Sequence, residues 1–544
     1  SENYTTVYAL APSPLDADVL WAGTDDGNVQ VTRDGGKTWT NVQGAMPDKP
    51  RNGWVSHIEA SRQAAGTAYV TVHDYMRGDW GTYVYKTTDY GKSWKRLPTD
   101  GVGAIVRTIE EDPVQPRLLW LGTEFGLWYS LDGGQSWSQW TYGFPNGVPV
   151  DALVTQERES DLVIGTFGRA IYVIDDVRPL RAMASDPSLL HAELHLFDPG
   201  TAIEHQQTGN ITYDSPGSTM YEGKNEPYGA TITIAAHVPD TLAQKASEKK
   251  ASADTATYAY TEVESAPDTI PPVPTKDAVV QILRDDSVIK EDSLQLGEGL
   301  NRYTWRFGTD GPGRRPRSTE ELGKALSSPE KAEKPKGRGP GVLPGTFTVR
   351  VVSLGDTASG TLRVEGDPRI DTPMDQRRAK RAMLDEVARL DGVAADAVEA
   401  LRTARIRVNR TLDALADQEG VSDAAADSIR DAGKAVIDSL KAVEVAWAGP
   451  IEPRQGITGG ETVMGKIGIA PFRMSDVAWY GPNPEERKRL ELARSAVSKA
   501  IDRTNRVLQG QVAPFRDRVQ AAGLELIPAV QTVSMPAAGA GQGG

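Results

Sequence analysis

The sequence predicts a multidomain, mainly β chain with an α-helical C-terminus. A partial β-propeller covers residues 1–180, a β-sandwich 181–370 and an antiparallel three-helix bundle 371–530, with a flexible tail at 531–544. Three observations predict this. A strand-and-turn pattern recurs four times in the first third. Alternating apolar residues with no helical period fill the middle. Apolar steps of three and four residues run through the last third. The length of 544 residues agrees, since roughly 150 residues per domain gives about three or four domains.

Composition removes several function classes. Sixty Lys and Arg against 74 Asp and Glu give a net charge of −14, which disfavours nucleic acid and anionic lipid as partners. There is no cysteine, so disulfides, Cys-ligated metals and thiol nucleophiles are excluded. The six histidines include no H-E-x-x-H motif, and neither a metal nor another cofactor is expected. No apolar run approaches 18 residues, so no membrane span is expected. The chain opens SENYTTVYAL, without initiator Met or secretory leader, and reads as a processed or partial chain.

The four repeats begin at Val7, Val55, Val106 and Val150. Each reads as a strand, a polar turn, a second apolar strand, a turn and a third strand. The first three continue through TRDGGKTW, TTDYGKSW and SLDGGQSW into a fourth strand. Asp34, Asp89 and Asp132 can accept backbone N–H groups across these turns. Gly36, Gly91 and Gly134, with Gly35 and Gly133, permit positive φ. Trp39, Trp94 and Trp137 offer large area to bury between adjacent sheets. Four short strands every 40–55 residues is the period of a propeller blade. In the fourth repeat IDDVRPLR replaces the turn motif, so that blade is expected to lack a standard fourth strand.

These turns are identified as Asp-box, or BNR, repeats. The runs GTDDGNVQVTRDGGKTW, LLWLGTEFGLWYSLDGG and DLVIGTFGRAIYVIDD resemble the last blades of bacterial sortilin-like BNR-repeat proteins, often labelled glycosyl hydrolases. The resemblance implies rings of seven to ten blades, a secreted or cell-surface location, and a glycan or peptide ligand. It also implies that the ring is completed by a missing N-terminal portion or a second polypeptide, within an oligomer or complex. Sialidases carry Asp boxes too, but their arginine triad and Tyr/Glu pair are not found here. Xyloglucanase-type enzymes use paired propellers with one catalytic acid from each, and this chain offers at most one of the two.

After Pro179, strands are expected at Glu193–Phe197, Gly229–Ala236, Ala278–Asp285, Leu300–Phe307, Gly345–Ser353 and Thr361–Gly366. EGLNRYTWRF followed by PGTFTVRV resembles an Ig-like domain of secreted bacterial proteins. Residues 240–275 and 311–344 read by composition as long mobile loops or partner-bound arms rather than core. Helical seams run Met383, Val387, Leu390, Ala394, Ala397, Leu401, Ala404, Val408, then Ile429 to Trp447, then Leu490 to Leu508. Asn483-Pro484 marks the start of the last helix. Residues 449–482 read as a Gly-rich connector.

Successive hairpins of a blade alternate between two faces. The Asp-box turns occupy one face, so the turns after each second strand occupy the other. That face gathers Asp25, Asp26, His73, Asp74, Arg77, Asp79, Glu124 and Arg169 as ligand-face candidates. A carboxylate pair there can act as general acid and base on a glycosidic bond, and Asp25 and Glu124 are the catalytic candidates. The preferred expectation is a secreted or cell-surface binding and assembly protein. In it the propeller presents the ligand face, and the sandwich and helices dock partners. The alternative is a glycoside hydrolase acting on polysaccharide through these carboxylates.

Overall fold

A computed structural model describes residues 5–205, 227–239, 274–328, 336–415, 422–449, 462–472, 478–523 and 532–535. The first three repeats each form a four-stranded antiparallel sheet in chain order. Blade one holds β1 (Val7–Pro12), β2 (Leu20–Thr24), β3 (Val29–Thr32) and β4 (Thr40–Asn41). Blade two holds β5 (Trp54–Ala60), β6 (Ala68–Asp74), β7 (Asp79–Thr87) and β8 (Lys95–Arg96). Blade three holds β9 (Val106–Glu111), β10 (Leu119–Thr123), β11 (Gly126–Ser130) and β12 (Ser138–Trp140). The fourth repeat gives three strands, β13 (Val150–Gln156), β14 (Asp161–Thr166) and β15 (Ile171–Ile174). It ends there because Pro179 opens helix α1 (Arg178–Ser185), whose Leu180 and Met183 pack on the blade's outer edge.

The blades stack face to face through apolar interfaces. Trp21, Val29 and Val31 meet Val70, Val72 and Trp94. Tyr69 and Val84 meet Ile109, Leu119 and Leu121. Trp120 and Leu127 meet Leu153, Leu162 and Ile164. Alternation along each strand makes this possible, since one residue faces the preceding blade and the next faces the following one.

The middle region has two sheets sharing one core. The smaller orders β16 (Leu194–Leu196), β18 (Ala230–Ala236) and β21 (Gly299–Trp305). The larger orders β17 (Ala202–Ile203), β25 (Asp356–Glu365), β24 (Gly345–Ser353), β19 (Thr275–Arg284) and β20 (Ser287–Gly297). Ile232, Ile234, Val280, Ile282, Trp305, Phe347, Val349 and Val351 fill the space between them. Strand β20 escaped the sequence reading because it is an edge strand, polar and mostly half-buried.

The stretch 311–344 corrects the expectation of a mobile loop. Strands β22 (Thr309–Gly313) and β23 (Arg338–Gly339) pair, and helix α2 (Thr319–Ser327) stands between them. A capping box between Ser318 and Glu321 starts α2. Charge and apolar burial together order the segment: Arg314 and Arg317 both pair with the buried Glu399, and Leu322, Val342 and Leu343 are buried. Its low hydrophobicity therefore misled. Residues 329–335, and 240–273 of the other expected loop, lie outside the described residues.

Helices α3 (Met374–Ala414), α4 (Asp423–Ala448) and α6 (Pro484–Val507) share one core with α5 (Val463–Phe472) and α7 (Ala513–Ala521). Every residue named for the first seam is buried. Asn483 caps α6 with a reciprocal bond to Glu486. Helix α5 lies inside the stretch read as an irregular connector, and its Ile467 enters the core. The helices meet the larger sheet through a buried ion pair between Arg377 and Glu204.

Candidate ligand-binding face of the blades

The three S/T-x-D-x-G-x-T/S-W turns carry structural chemistry. Asp34 accepts the Thr38 N–H at 2.9 Å and the Thr38 hydroxyl at 2.6 Å. Asp89 and Ser93, and Asp132 and Ser136, repeat these bonds. The bonds to Thr38 hold the Asp34 carboxyl down at about 2. Gly36, Gly91 and Gly134 all adopt positive φ. The tryptophans differ. Trp94 is buried edge-on against Trp21 of the preceding blade, at 6.0 Å, and Trp137 donates to the Pro98 carbonyl at 2.9 Å. Trp39, expected to be buried between sheets, is exposed, because among the described residues no sheet packs on that side of blade one.

The opposite face is built by the turns after each second strand. Asp25 accepts the backbone N–H groups of Thr5 and Thr6, both at 2.8 Å, and so anchors the first strand. Asp26 accepts from the Thr24 hydroxyl and from Asn28. Asp74 and Arg77 form a two-pronged ion pair, with 2.9 Å and 3.1 Å contacts. Arg77 also donates to the Arg51 and Asn52 carbonyls. Asp79 accepts from Gly81 N–H at 2.9 Å and the Tyr83 hydroxyl at 2.8 Å. Glu124 pairs with Arg107 at 2.6 Å. Arg169 is exposed, with no ion-pair partner among the described residues.

The candidate carboxylates are thus engaged in hydrogen bonds to backbone or side chains, or in ion pairs. Asp25, Asp74 and Arg77 line one cleft of about 200 Å³ with Asn52, Trp54, His73 and Met76. A larger cleft, about 670 Å³, lies beside the turn of Asp34 and is lined by Asp34, Thr38, Tyr90 and Lys92. Its polar groups are largely spent on the turn's own hydrogen bonds, so the smaller cleft is the chemically interesting one. Among the described residues no three His, Asp or Glu side chains are placed to hold a metal ion.

Two features escaped the sequence reading. The first is a row of aromatic rings across blades one and two. Tyr8 meets Trp54 at 4.9 Å, Trp54 meets His73 at 5.8 Å, His73 meets Tyr75 at 5.0 Å, and Tyr75 meets Trp80 at 5.9 Å. The row ends on Trp80, which is 61% exposed. Burial, helped by the Arg107 charge, lowers His73 to about 4, so within the row it is a neutral ring. Lys49, beside Asp74 and Asp26, is likewise pushed down by burial.

The second feature is a bulge on every innermost strand. Pairing skips Tyr8, Ser56, Arg107 and Asp151, one per blade. A bulge re-aims its side chain. Tyr8 thereby reaches Trp54, and Arg107 bridges Glu124 to Asp151 of the next blade at 2.9 Å. The available signal was positional: each of the four follows the valine that opens its repeat.

No protein-family model matches the chain. It is 40% identical over 93 residues to an oligoxyloglucan-reducing end-specific xyloglucanase of Emericella nidulans. It is 36% identical over 90 residues to a probable enzyme of the same description from Neosartorya fischeri. Each match covers 16% of this chain, and the chain spans only about a tenth of the length of these curated relatives. Similar solved structures include YCF48 bound to D1 peptide, 17% identical, covering 32% of this chain and 56% of that one, with a TM-score of 0.24. The Niastella koreensis GH74 enzyme is 11% identical, covering 65% of this chain and 46% of its own, with a TM-score of 0.23. Among the described residues no helix is long and apolar enough to cross a membrane.

Proposed function

We propose that this chain contributes blades to a secreted, glycosyl-hydrolase-like propeller whose aromatic face binds a polysaccharide. The carrying observation is the Tyr8–Trp54–His73–Tyr75–Trp80 row, ending on an exposed indole beside the Asp74–Arg77 pair. Flat rings stack on the apolar faces of sugars, and flanking charged and amide groups bond their hydroxyls. The local identity to xyloglucanases supports a β-glucan of the xyloglucan type as ligand. The finer architecture belongs to the same reading: Asp-box blades of BNR or sortilin-like kind, an Ig-like sandwich, and an antiparallel three-helix bundle that docks partners.

Hydrolysis is the second reading, favoured by those same relatives. It requires two carboxylates flanking one bond, about 5–9.5 Å apart. Asp25 holds the first strand and Glu124 is neutralised by Arg107, so a catalytic acid here is expected to be assisted from outside these blades. Affinity electrophoresis in gels containing xyloglucan, mixed-linkage glucan or no glycan tests binding, and a reducing-end assay tests turnover. Retardation by xyloglucan alone is expected. Equal mobility in all gels contradicts the proposal. Turnover abolished by Glu124→Gln moves the assignment to the enzyme.

A further inference from the structure

Exposed aromatic rings are not spread evenly over the blades. Among the described residues they are Tyr8, Trp39, Trp80, Phe125, Tyr142 and Phe167. Trp39 sits at the turn of Asp34. The other five lie on the opposite face. Tyr8 and Trp80 belong to the aromatic row. Phe125 stands in the turn between β10 and β11, and Phe167 in the turn between β14 and β15. Tyr142 follows β12, whose Trp140 pairs with Leu127 beside the Phe125 turn. Phe125 is 54% exposed and Phe167 72%. Large rings gathered in water on one face mark a binding surface.

Charged groups join these turns to the row. Phe125 follows Glu124, which pairs with Arg107 at 2.6 Å. Arg107 also pairs with Asp151 of blade four at 2.9 Å. Asp151 follows Val150, which pairs with Thr166, the residue before Phe167. At the other end, Arg107 and Glu124 lie close enough to His73 to act on its charge. One path therefore runs from Trp80 and His73 on blade two, through Arg107 and Phe125 on blade three, to Phe167 on blade four.

The backbone of the two turns is spent. Glu124 N–H donates to the Ile105 carbonyl at 3.1 Å, and Phe167 N–H to the Pro149 carbonyl at 3.0 Å. The Phe125 carbonyl accepts from the Gln139 amide at 3.1 Å. An extended peptide adds to a protein through a row of free N–H and C=O groups, and these are not free. Ring faces and charged side chains remain, and those suit a sugar chain.

We propose that the glycan-binding face continues from Trp80 across blades three and four, with Phe125 and Phe167 as further stacking positions. The Arg107–Glu124–Asp151 cluster between them bonds sugar hydroxyls. The ligand is then an internal stretch of a long polysaccharide rather than a small sugar or a chain end, because rings on three blades are spanned together. This rests on the polysaccharide reading above and extends it.

Titration calorimetry of the chain with xyloglucan oligosaccharides of one, two and three repeat units tests the extension. Affinity is expected to rise about tenfold with the longer ligands, since a second contact on a bound chain forms at high effective concentration. Phe125→Ala and Phe167→Ala are each expected to remove that gain and to leave affinity for the single repeat unchanged. Trp80→Ala weakens binding of all three. Both phenylalanines are exposed, so the alanine variants keep the wild-type melting temperature, and Phe167→Tyr, which retains a ring, retains the gain. Equal wild-type affinity at every length overturns the extension alone. So does a gain with length that survives both alanine variants. Absence of binding at every length contradicts the polysaccharide reading itself, and the extension with it.

Discussion

Glu59 shows how far a single half-buried group can govern the blades. Burial, reinforced by the charges of Glu110 and Glu111, raises its carboxyl to about 9. A carboxyl raised on folding favours the folded state while protonated. Its contribution is complete below 4.5 and is lost as pH rises towards about 9. Glu59→Gln is therefore expected to raise the melting temperature at pH 8, leave it nearly unchanged at pH 4, and flatten the profile between. Thermal denaturation across that range checks it; a variant less stable at pH 8 contradicts it. Trp80 is the opposite kind of residue, exposed and making one ring contact. Trp80→Ala is expected to weaken glycan binding at least tenfold with no loss of stability, read by titration calorimetry beside a melting curve.

At the scale of elements, the blade interfaces depend on their second strands. Trp120 is fully buried and touches both Tyr129 and Trp140. Trp120→Ala leaves a cavity between blades three and four and is expected to cost about 3–5 kcal/mol, measured by urea denaturation. Strand periodicity and turn chemistry made these blades legible, because both are local properties of the chain. The helical seams were legible for the same reason. The segment around helix α2 was not, because Arg314 and Arg317 before it are held by Glu399, about 80 residues away in sequence. The face was legible in part. Turn residues such as Asp74 and Glu124 stand out in a sequence, but the partners that neutralise them do not. The aromatic row was hidden because Tyr8 and Trp54 belong to different blades and meet only through a bulge. Trp39 misled because burial of a turn indole depends on a neighbouring sheet.

For the whole molecule, the joints between regions are polar and buried. Arg377 on α3 pairs with Glu204 and donates to the Ala478 carbonyl at 2.9 Å. Removing one member of a buried pair leaves the other uncompensated, at about 3–5 kcal/mol. Glu204→Ala is expected to loosen the helices from the larger sheet. Limited proteolysis should then cut between them faster than in wild type, and equal rates contradict the assignment. Along the arc, Arg181 on α1 pairs with the buried Asp112 of blade three at 2.9 Å, so the helix that ends the arc also braces it.

The central claim is that the row from Tyr8 to Trp80 holds a sugar chain. Saturation-transfer NMR with a xyloglucan oligosaccharide tests it most directly, comparing wild type with Trp80→Ala and Trp54→Ala. The account predicts transfer from the protein to the axial C–H protons of consecutive glucose units, strongly reduced in both variants. Transfer of equal strength in all three proteins, or none in the wild type, contradicts it.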